Sequence, residues 1–311
     1  MLPNGLIELT QRVIKEIPID PQIIEKADTE ELWRELANTI FLDNNRNSAE
    51  VIFIAKTLSK SGLLDREYIL NNTCNEWEEK TREFLLEKTK SLSGRKEGIL
   101  QGLLSNLSIP SHSLKESAIF FKKRNISPEY LKEINQEEKE INEFLKIAYN
   151  PSSSYVTGRT NPEKLFNVGL TKALLWLQAF DLAKDYCPPS RQIKDFVDYY
   201  LDKKNWKQIK SSTIENLTED WRYILSIRKF NKDEIKPQIP ESTTRDAGFA
   251  IWYWKSTQNL LKGKIKKELT PKILLNYLDA SGMDLIDLGD KLGDIEQINN
   301  LAKDIGEFLE D

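Results

Sequence analysis

The fold is decided by one stretch of the chain, Leu165-Phe-Asn-Val-Gly-Leu-Thr-Lys-Ala-Leu-Leu-Trp-Leu-Gln-Ala-Phe180. Its apolar spacing predicts a short helix, then a tight turn at Asn167-Val168-Gly169, then a second, strongly apolar helix. Gly169 can take a positive φ and would let the backbone approach another molecule closely. The turn is therefore a place where a ligand contact is expected.

Two interpretations of this turn stay open. The first is an ordinary turn between two packed helices. The second is a hairpin of helices that grips one DNA strand, because the N–H groups at a helix start have no intrahelical acceptor and can hold a phosphate. Such a contact would supply position and affinity but no sequence readout.

Outside this stretch the spacing of apolar residues is helical almost throughout, and no strand alternation persists over two neighbouring segments. Asp28 and Glu31 have the pattern of a capping box before one helix. A second helix is expected from Asn47 or Ser48 to a stop at Gly62. Further helical segments are expected at 65–71, 74–92, 95–107, 111–123, 127–149, 162–180, 190–203, 213–227, 242–262 and 271–279.

The sequence therefore predicts an all-α fold, a two-lobed helical bundle with a central cleft. Residues 1–62 and 205–311 are expected to form one lobe that contains both termini. Residues 63–204 are expected to form the central lobe, which would contain the two-helix hairpin at about 162–203.

Composition limits the class of protein. The 311 residues are 39% hydrophobic and 30% charged, which is enough to bury a core and too hydrophobic for a disordered chain. No apolar run approaches the length of a membrane span, and the first residues do not have the pattern of a signal peptide. A cytoplasmic protein with no membrane partner is therefore expected; its oligomeric state stays open, with a monomer favoured.

A single histidine, His112, and two cysteines, Cys74 and Cys187, disfavour most common catalytic chemistries. These include Ser-His-Asp triads, Cys-His pairs and multi-histidine metal sites. Chemistry would have to rest on carboxylates, lysines and hydroxyls, and neither a metal nor a diffusible cofactor is expected. The net charge of −4 gives no global attraction to nucleic acid, although lysine-rich stretches at 121–124, 203–210 and 262–267 could form a local positive surface.

The turn resembles the hairpin of the helix-hairpin-helix DNA glycosylase superfamily, which includes endonuclease III and the archaeal 8-oxoguanine glycosylases. That family's turn reads Gly-Val-Gly; Asn167 stands here for the first glycine, and Ala173 occupies the family's alanine position. The resemblance runs from about residue 30 to residue 260. Three further stretches are similar to elements of the family. Leu36 to Ala55 resembles the paired helices whose connection enters the duplex, and Cys187-Pro-Pro-Ser-Arg-Gln-Ile193 resembles a helix start of the archaeal branch. The helix that lines the base pocket in the family is similar to Arg245-Asp-Ala-Gly-Phe-Ala-Ile-Trp-Tyr-Trp254.

The resemblance implies a protein that binds double-stranded DNA, flips a modified base into a cleft and cleaves its N-glycosidic bond. The base could be oxidised, alkylated or enzymatically modified, in repair or in defence against modified foreign DNA. Asp43 and Trp252 would line the base pocket. The implied DNA contacts are Asn45 and Arg46, which would fill the gap left by the flipped base, and Gly169, Thr171, Ser190 and Arg191, which would hold the backbone.

The sequence departs from the family at the catalytic positions. Pro189 occupies the position of the family aspartate, and the lysine position of the lyase branch falls on Thr171. A glycosylase needs a carboxylate near the anomeric carbon, because the transition state resembles an oxocarbenium ion. Asp246 is the candidate replacement, and Lys172 is the candidate Schiff-base amine. Other carboxylates that could substitute are Asp43, Asp185 and Asp195.

Each of these assignments has a structural alternative. Lys172 could be a solvated lysine, and Asp246 could be a carboxylate that faces a helix dipole. The segment Asn44-Asn45-Arg46 could be a polar loop with Asn47 as an N-cap. The whole protein could also be a catalytically inactive DNA-binding module on the same scaffold, or an unrelated α-helical protein-interaction domain.

Overall fold

The computed structural model describes residues 6, 7, 10, 11, 14, 24–41, 48–148, 165, 168–201 and 219–261. This part of the chain contains twelve α-helices and no strand, which confirms the predicted all-α class. The helices are α1 Thr29–Ile40, α2 Ser48–Ser59, α3 Arg66–Asn71, α4 Cys74–Thr89, α5 Gly94–Leu104, α6 Ser108–Arg124, α7 Pro128–Asn135, α8 Glu138–Ala148, α9 Leu170–Gln178, α10 Arg191–Phe196, α11 Glu219–Phe230 and α12 Thr244–Leu261. Two π-helical segments, Val197–Leu201 and Asn231–Ile235, continue α10 and α11. None of the helices in the described ranges combines the length and the hydropathy that a bilayer-spanning segment needs.

Most helix positions agree with the prediction, and one differs. The expected helix at 127–149 is two helices, α7 and α8, which are separated by a bend at Gln136 and Glu137. Both residues are good helix formers, and no glycine or proline marks the bend, so local propensity contains no signal for it. The segment expected at 271–279 and the first helix of the predicted hairpin, before the turn, lie outside the described residues.

The chain divides into two compact units. The central unit is Pro21–Leu182, and the terminal unit is Met1–Asp20 with Ala183–Asp311. The predicted boundaries after residues 62 and 204 stay a prediction, and α1 packs within the central unit. The indole Nε1 of Trp33 on α1 donates to the carbonyl oxygen of Leu64 at 2.7 Å. The predicted lobes with a cleft between them stay a prediction.

Buried aromatic rings form the core of the central unit. Trp33 meets Phe121 edge to face with ring centroids 5.6 Å apart, and Phe121 lies 5.6 Å from Trp176. Phe144 on α8 completes the cluster at 6.3 Å from Trp176. The capping box predicted before α1 is confirmed: Glu31 N donates to Asp28 Oδ1 at 2.8 Å, and Asp28 N donates to Glu31 Oε2 at 2.9 Å.

The core of the terminal unit combines aliphatic and aromatic side chains, and it contains a close backbone approach. Gly248, in the middle of α12, packs directly on the side chain of Cys187. A Cβ at Gly248 would lie 2.2 Å from Cys187 Sγ, a distance that real side chains do not tolerate. The other core members are Leu6, Ile193, Phe196, Val197, Leu201, Tyr223, Ile227, Phe230, Ile235, Ile239, Ala247, Ala250 and Ile251.

Candidate functional site

The predicted turn before α9 has a simple backbone. Gly169 is the N-cap of α9 with φ −70° and ψ 170°, so the positive φ anticipated from the sequence is not adopted. The carbonyl of Gly169 accepts the first helical hydrogen bond, from Ala173 N at 3.0 Å. Buried Val168 and Leu170 flank Gly169 and anchor the turn, while Gly169 itself stays partly exposed. Apart from its own chain neighbours, no atom of the described residues lies within 4 Å of the position that a Cβ on Gly169 would take.

The start of α9 has the chemical character of an anion site. Gly169 has no side chain to cap the helix, and the first turn carries no acidic residue. Thr171, in that first turn, is partly exposed. Because the first N–H groups of a helix have no intrahelical acceptor and lie at the positive end of its dipole, this end favours an anion.

Lys172 makes a contact that neither sequence interpretation included. Its partly buried ammonium donates to the carbonyl oxygen of Ile40 at 3.0 Å, across 132 residues of chain. Ile40 is the last residue of α1, and the last turn of α1 contains no basic residue. Lys172 therefore supplies the positive charge that the carbonyl end of α1 lacks. Its predicted role as a catalytic amine stays a prediction.

Trp176 provides a second connection between the same two helices. Its indole Nε1 donates to the carbonyl oxygen of Leu32 at 2.9 Å. Lys172 and Trp176 are four residues apart on α9 and so lie on one helix face. Their partners, Leu32 and Ile40, belong to the first and last turns of α1. The two hydrogen bonds therefore hold α9 at both ends of α1.

Three predicted site residues fall outside the described part of the chain. They are Asp43, which was assigned to the base pocket, and Asn45 and Arg46, which were assigned to the gap in the duplex. Their assignments stay predictions. In sequence, Arg46 follows Ile40, the residue that Lys172 contacts, by six positions.

Ser190 and Arg191 form the start of α10 in the terminal unit. Ser190 is the N-cap, and its Oγ accepts from Ile193 N at 3.4 Å. Arg191, the first helical residue, is exposed. Pro189, at the family's aspartate position, precedes this cap and contributes no carboxylate. The segment therefore presents a guanidinium at a helix start that its own serine already caps.

Asp246 takes part in a second capping box. Its Oδ2 accepts from Thr243 N at 2.9 Å and from Thr243 Oγ1 at 2.7 Å, and Asp246 N donates back to Thr243 Oγ1 at 3.2 Å. Arg245 Nε lies 3.8 Å from Asp246 Oδ1, and both side chains are about nine-tenths buried. These contacts are those of the helix-start alternative. Catalysis by Asp246 is not tested by them and stays a prediction.

Trp252, the predicted stacking residue, is partly buried and packs against the core of the terminal unit. Its neighbours in that core include Ala250 and Ile251 on its own helix. The side chain of Trp254 lies outside the described residues. The described contacts of Trp252 are therefore those of a residue at the edge of a core.

A polar network beside Arg191 was missed by sequence reasoning. Lys194 Nζ pairs with Asp220 Oδ1 at 2.6 Å, and Arg222 pairs with Asp198 Oδ1 at 2.9 Å. The hydroxyl of Tyr223 donates to Asp198 Oδ2 at 3.0 Å. These pairs join α10 and its π-helical extension to α11, and nothing in the sequence spacing marks them. Because its charge is balanced by Asp220, Lys194 adds little to a positive surface.

Burial is the largest cause of the pKa shifts of several titratable groups elsewhere. It raises the pKa of the fully buried Cys187 thiol far above its usual value, and it raises the pKa of Glu35 on α1. It also raises the pKa of Cys74 and of Glu116. Within the described ranges, no three His, Cys, Asp or Glu side chains are grouped to hold a metal ion.

The predicted site residues are divided between the two units. Gly169, Thr171 and Lys172 belong to the central unit, whereas Ser190, Arg191, Asp246 and Trp252 belong to the terminal unit. Comparison with protein-family models, with curated proteins and with solved structures found no match to this chain.

Proposed function

We propose that the protein binds duplex DNA and excises a modified base by hydrolysing its N-glycosidic bond. The observation that carries the proposal is the start of α9, where Gly169 offers no capping side chain and the first turn has no acidic residue. Such a helix start attracts a phosphate through its N–H groups and its dipole. The open space beside Gly169 allows a DNA strand to come within hydrogen-bonding distance of the backbone.

A second backbone contact in the proposal comes from Arg191. Its exposed guanidinium can bind a phosphate through two parallel hydrogen bonds. Ser190 supports this contact, because its cap on Ile193 N fixes the start of the helix that carries Arg191. These contacts position the strand and read no sequence. The choice of substrate would then rest on the flipped base.

The chemical step requires a water molecule and a carboxylate. The water oxygen bonds to C1′ of the deoxyribose while the bond from C1′ to the base nitrogen breaks, and the base leaves with a proton. The cationic sugar of the transition state is stabilised by a nearby carboxylate. In the proposal Asp246 has this role through Oδ1, because Oδ2 already accepts two hydrogen bonds from Thr243.

A second candidate function is DNA binding without cleavage. Two observations favour it: the carboxylate of Asp246 is part of a capping box, and Pro189 supplies no carboxylate at the family position. In this case the start of α9 would still hold a phosphate, and no base would be released.

The two candidates are separated by a base-release assay. The protein is incubated with duplexes that each carry one oxidised, alkylated or enzymatically hypermodified base, and the free bases are separated by chromatography. Release from one duplex supports excision. Salt-dependent binding without release supports the binding module, since each phosphate contact contributes about 0.9 to the slope of log K against log salt. Failure to bind any duplex contradicts both candidates.

The contribution of α9 is tested by Thr171→Glu, with Thr171→Gln as the matched control. An acid in the first turn is compatible with the helix dipole, so folding stability should not fall. The same charge repels a phosphate, and we expect DNA affinity to drop by roughly tenfold, with a salt slope smaller by about 1. Thr171→Gln, which stays neutral, should retain most of the affinity, so the difference between the two variants measures the effect of the charge. Unchanged binding by Thr171→Glu would remove the start of α9 from the interface.

A further inference from the structure

We infer that Lys172 is a positioning residue that ties the start of α9 to the end of α1, and that it is not a Schiff-base amine. The inference rests on the proposed function, because the position it controls is that of the phosphate-binding turn. It assigns this chain a purely hydrolytic reaction, with no lyase step through Lys172.

The tie has a clear electrostatic origin. Ile40 is the last helical residue of α1, so its carbonyl has no partner within the helix. The last turn of α1 contains no basic residue to balance the negative end of the helix dipole. The ammonium of Lys172 meets both needs with one hydrogen bond of 3.0 Å.

The tie also sets the position of the turn. Lys172 lies only three residues after Gly169, in the first turn of α9. Trp176, one turn further on, holds α9 to Leu32 at the other end of α1. A helix fixed at two points to one neighbour cannot rotate or slide without breaking a hydrogen bond. Of the two bonds, the one from Lys172 is nearer to the turn.

The contact also argues against a nucleophilic role. A Schiff base forms when the lone pair of a neutral amine attacks C1′ of the sugar and the base leaves with a proton from the amine; the nitrogen lone pair then expels the ring oxygen O4′, which is protonated as the sugar opens. In the structure the Lys172 nitrogen is instead a hydrogen-bond donor to the carbonyl oxygen of Ile40 at 3.0 Å. The amine would have to leave the carbonyl of Ile40 and so release the turn that holds the strand.

Three variants test the inference. Lys172→Arg keeps a cationic donor, Lys172→Met removes it, and Trp176→Phe removes the second connection, further from the turn. Each is measured for its thermal midpoint, for duplex affinity well below that midpoint, and for borohydride trapping on an abasic-site duplex. We expect Lys172→Met to bind the duplex roughly tenfold more weakly than the natural protein, and Lys172→Arg to bind as the natural protein does. Trp176→Phe should lower the thermal midpoint at least as much as Lys172→Met does, but it should keep the duplex affinity of the natural protein.

The outcomes distinguish the inference from the proposed function. A borohydride adduct with the natural protein that disappears in Lys172→Arg would overturn the inference, as would an equal loss of affinity in Trp176→Phe and Lys172→Met. If the natural protein binds no duplex, the proposed function fails. The tie itself is then judged by stability alone: a midpoint that falls in Lys172→Met and recovers in Lys172→Arg supports it, and an unchanged midpoint rejects it.

Discussion

The start of α12 is capped by side chains, whereas α9 begins at a glycine that has no side chain to cap the helix. At α12, Thr243 and Asp246 cap each other, and Arg245 N donates to the carbonyl of Lys184 at 3.0 Å. At α9, Gly169 provides no side-chain cap. The difference shows that one chain can begin a helix either with a side-chain cap that stabilises the fold or with a glycine that provides no such cap.

The largest expected effect comes from replacing a glycine with alanine, at Gly248 and, for comparison, at Gly169. Gly248→Ala places a methyl group 2.2 Å from Cys187 Sγ, so the terminal unit should lose about 1–3 kcal/mol of unfolding free energy. Gly169→Ala meets no atom within 4 Å and has an ordinary φ, so its cost should stay below about 1 kcal/mol. Urea denaturation of both variants measures the contrast. Equal costs would mean that the Cys187 side chain can move aside.

An intermediate effect is expected at the capped start of α12. Asp246→Ala removes the acceptor for Thr243 N and Thr243 Oγ1 and should cost about 0.5–2 kcal/mol. Asp246→Asn keeps an acceptor oxygen and should retain most of the stability. If Asp246 also stabilises the sugar cation, Asp246→Asn should abolish base release while it folds normally. Retained release would limit Asp246 to its cap.

The smallest expected effect is a change in how folding stability depends on pH at acidic pH values. Glu76 in the capping box before α4 accepts hydrogen bonds from Thr73, which hold its pKa below the usual value of 4.5. A lowered pKa contributes stability above the unfolded value, and this contribution disappears as the pH falls through the folded value. Glu76→Gln should therefore be slightly less stable at neutral pH and equal to the natural protein in strong acid.

Thermal midpoints at several pH values provide the measurement. The start of α9 has no acidic residue in its first turn, so Thr171→Gln should show no comparable pH-dependent difference. A pH-dependent difference in Thr171→Gln would show that a titratable group acts on α9 after all.

Local signals in the sequence predicted the helices well. The capping box of Asp28 and Glu31 is visible as a spacing of three residues, and the structure contains it. The apolar run after Gly169 predicted a buried helix, and α9 is that helix. Both features depend on neighbours within one or two turns, which is the range over which sequence patterns carry information.

Features that depend on distant residues could not be predicted. The bond from Lys172 to Ile40 spans 132 residues, and no local pattern pairs a lysine with a remote carbonyl. The approach of Gly248 to Cys187 likewise follows from how α12 packs. The backbone of Gly169 was also not predictable, because glycine permits a positive φ without requiring one.

Because Cys187 is buried, the reactivity of its thiol reports on local unfolding of the terminal unit. A thiol whose pKa is raised far above its usual value, and which is pressed against the backbone of α12, reacts with an alkylating reagent only after local unfolding. Cys74, which is partly exposed in the central unit, labels without that step. The ratio of the labelling rate of Cys187 to that of Cys74 would thus measure how often the terminal unit opens locally, with the central unit as an internal reference.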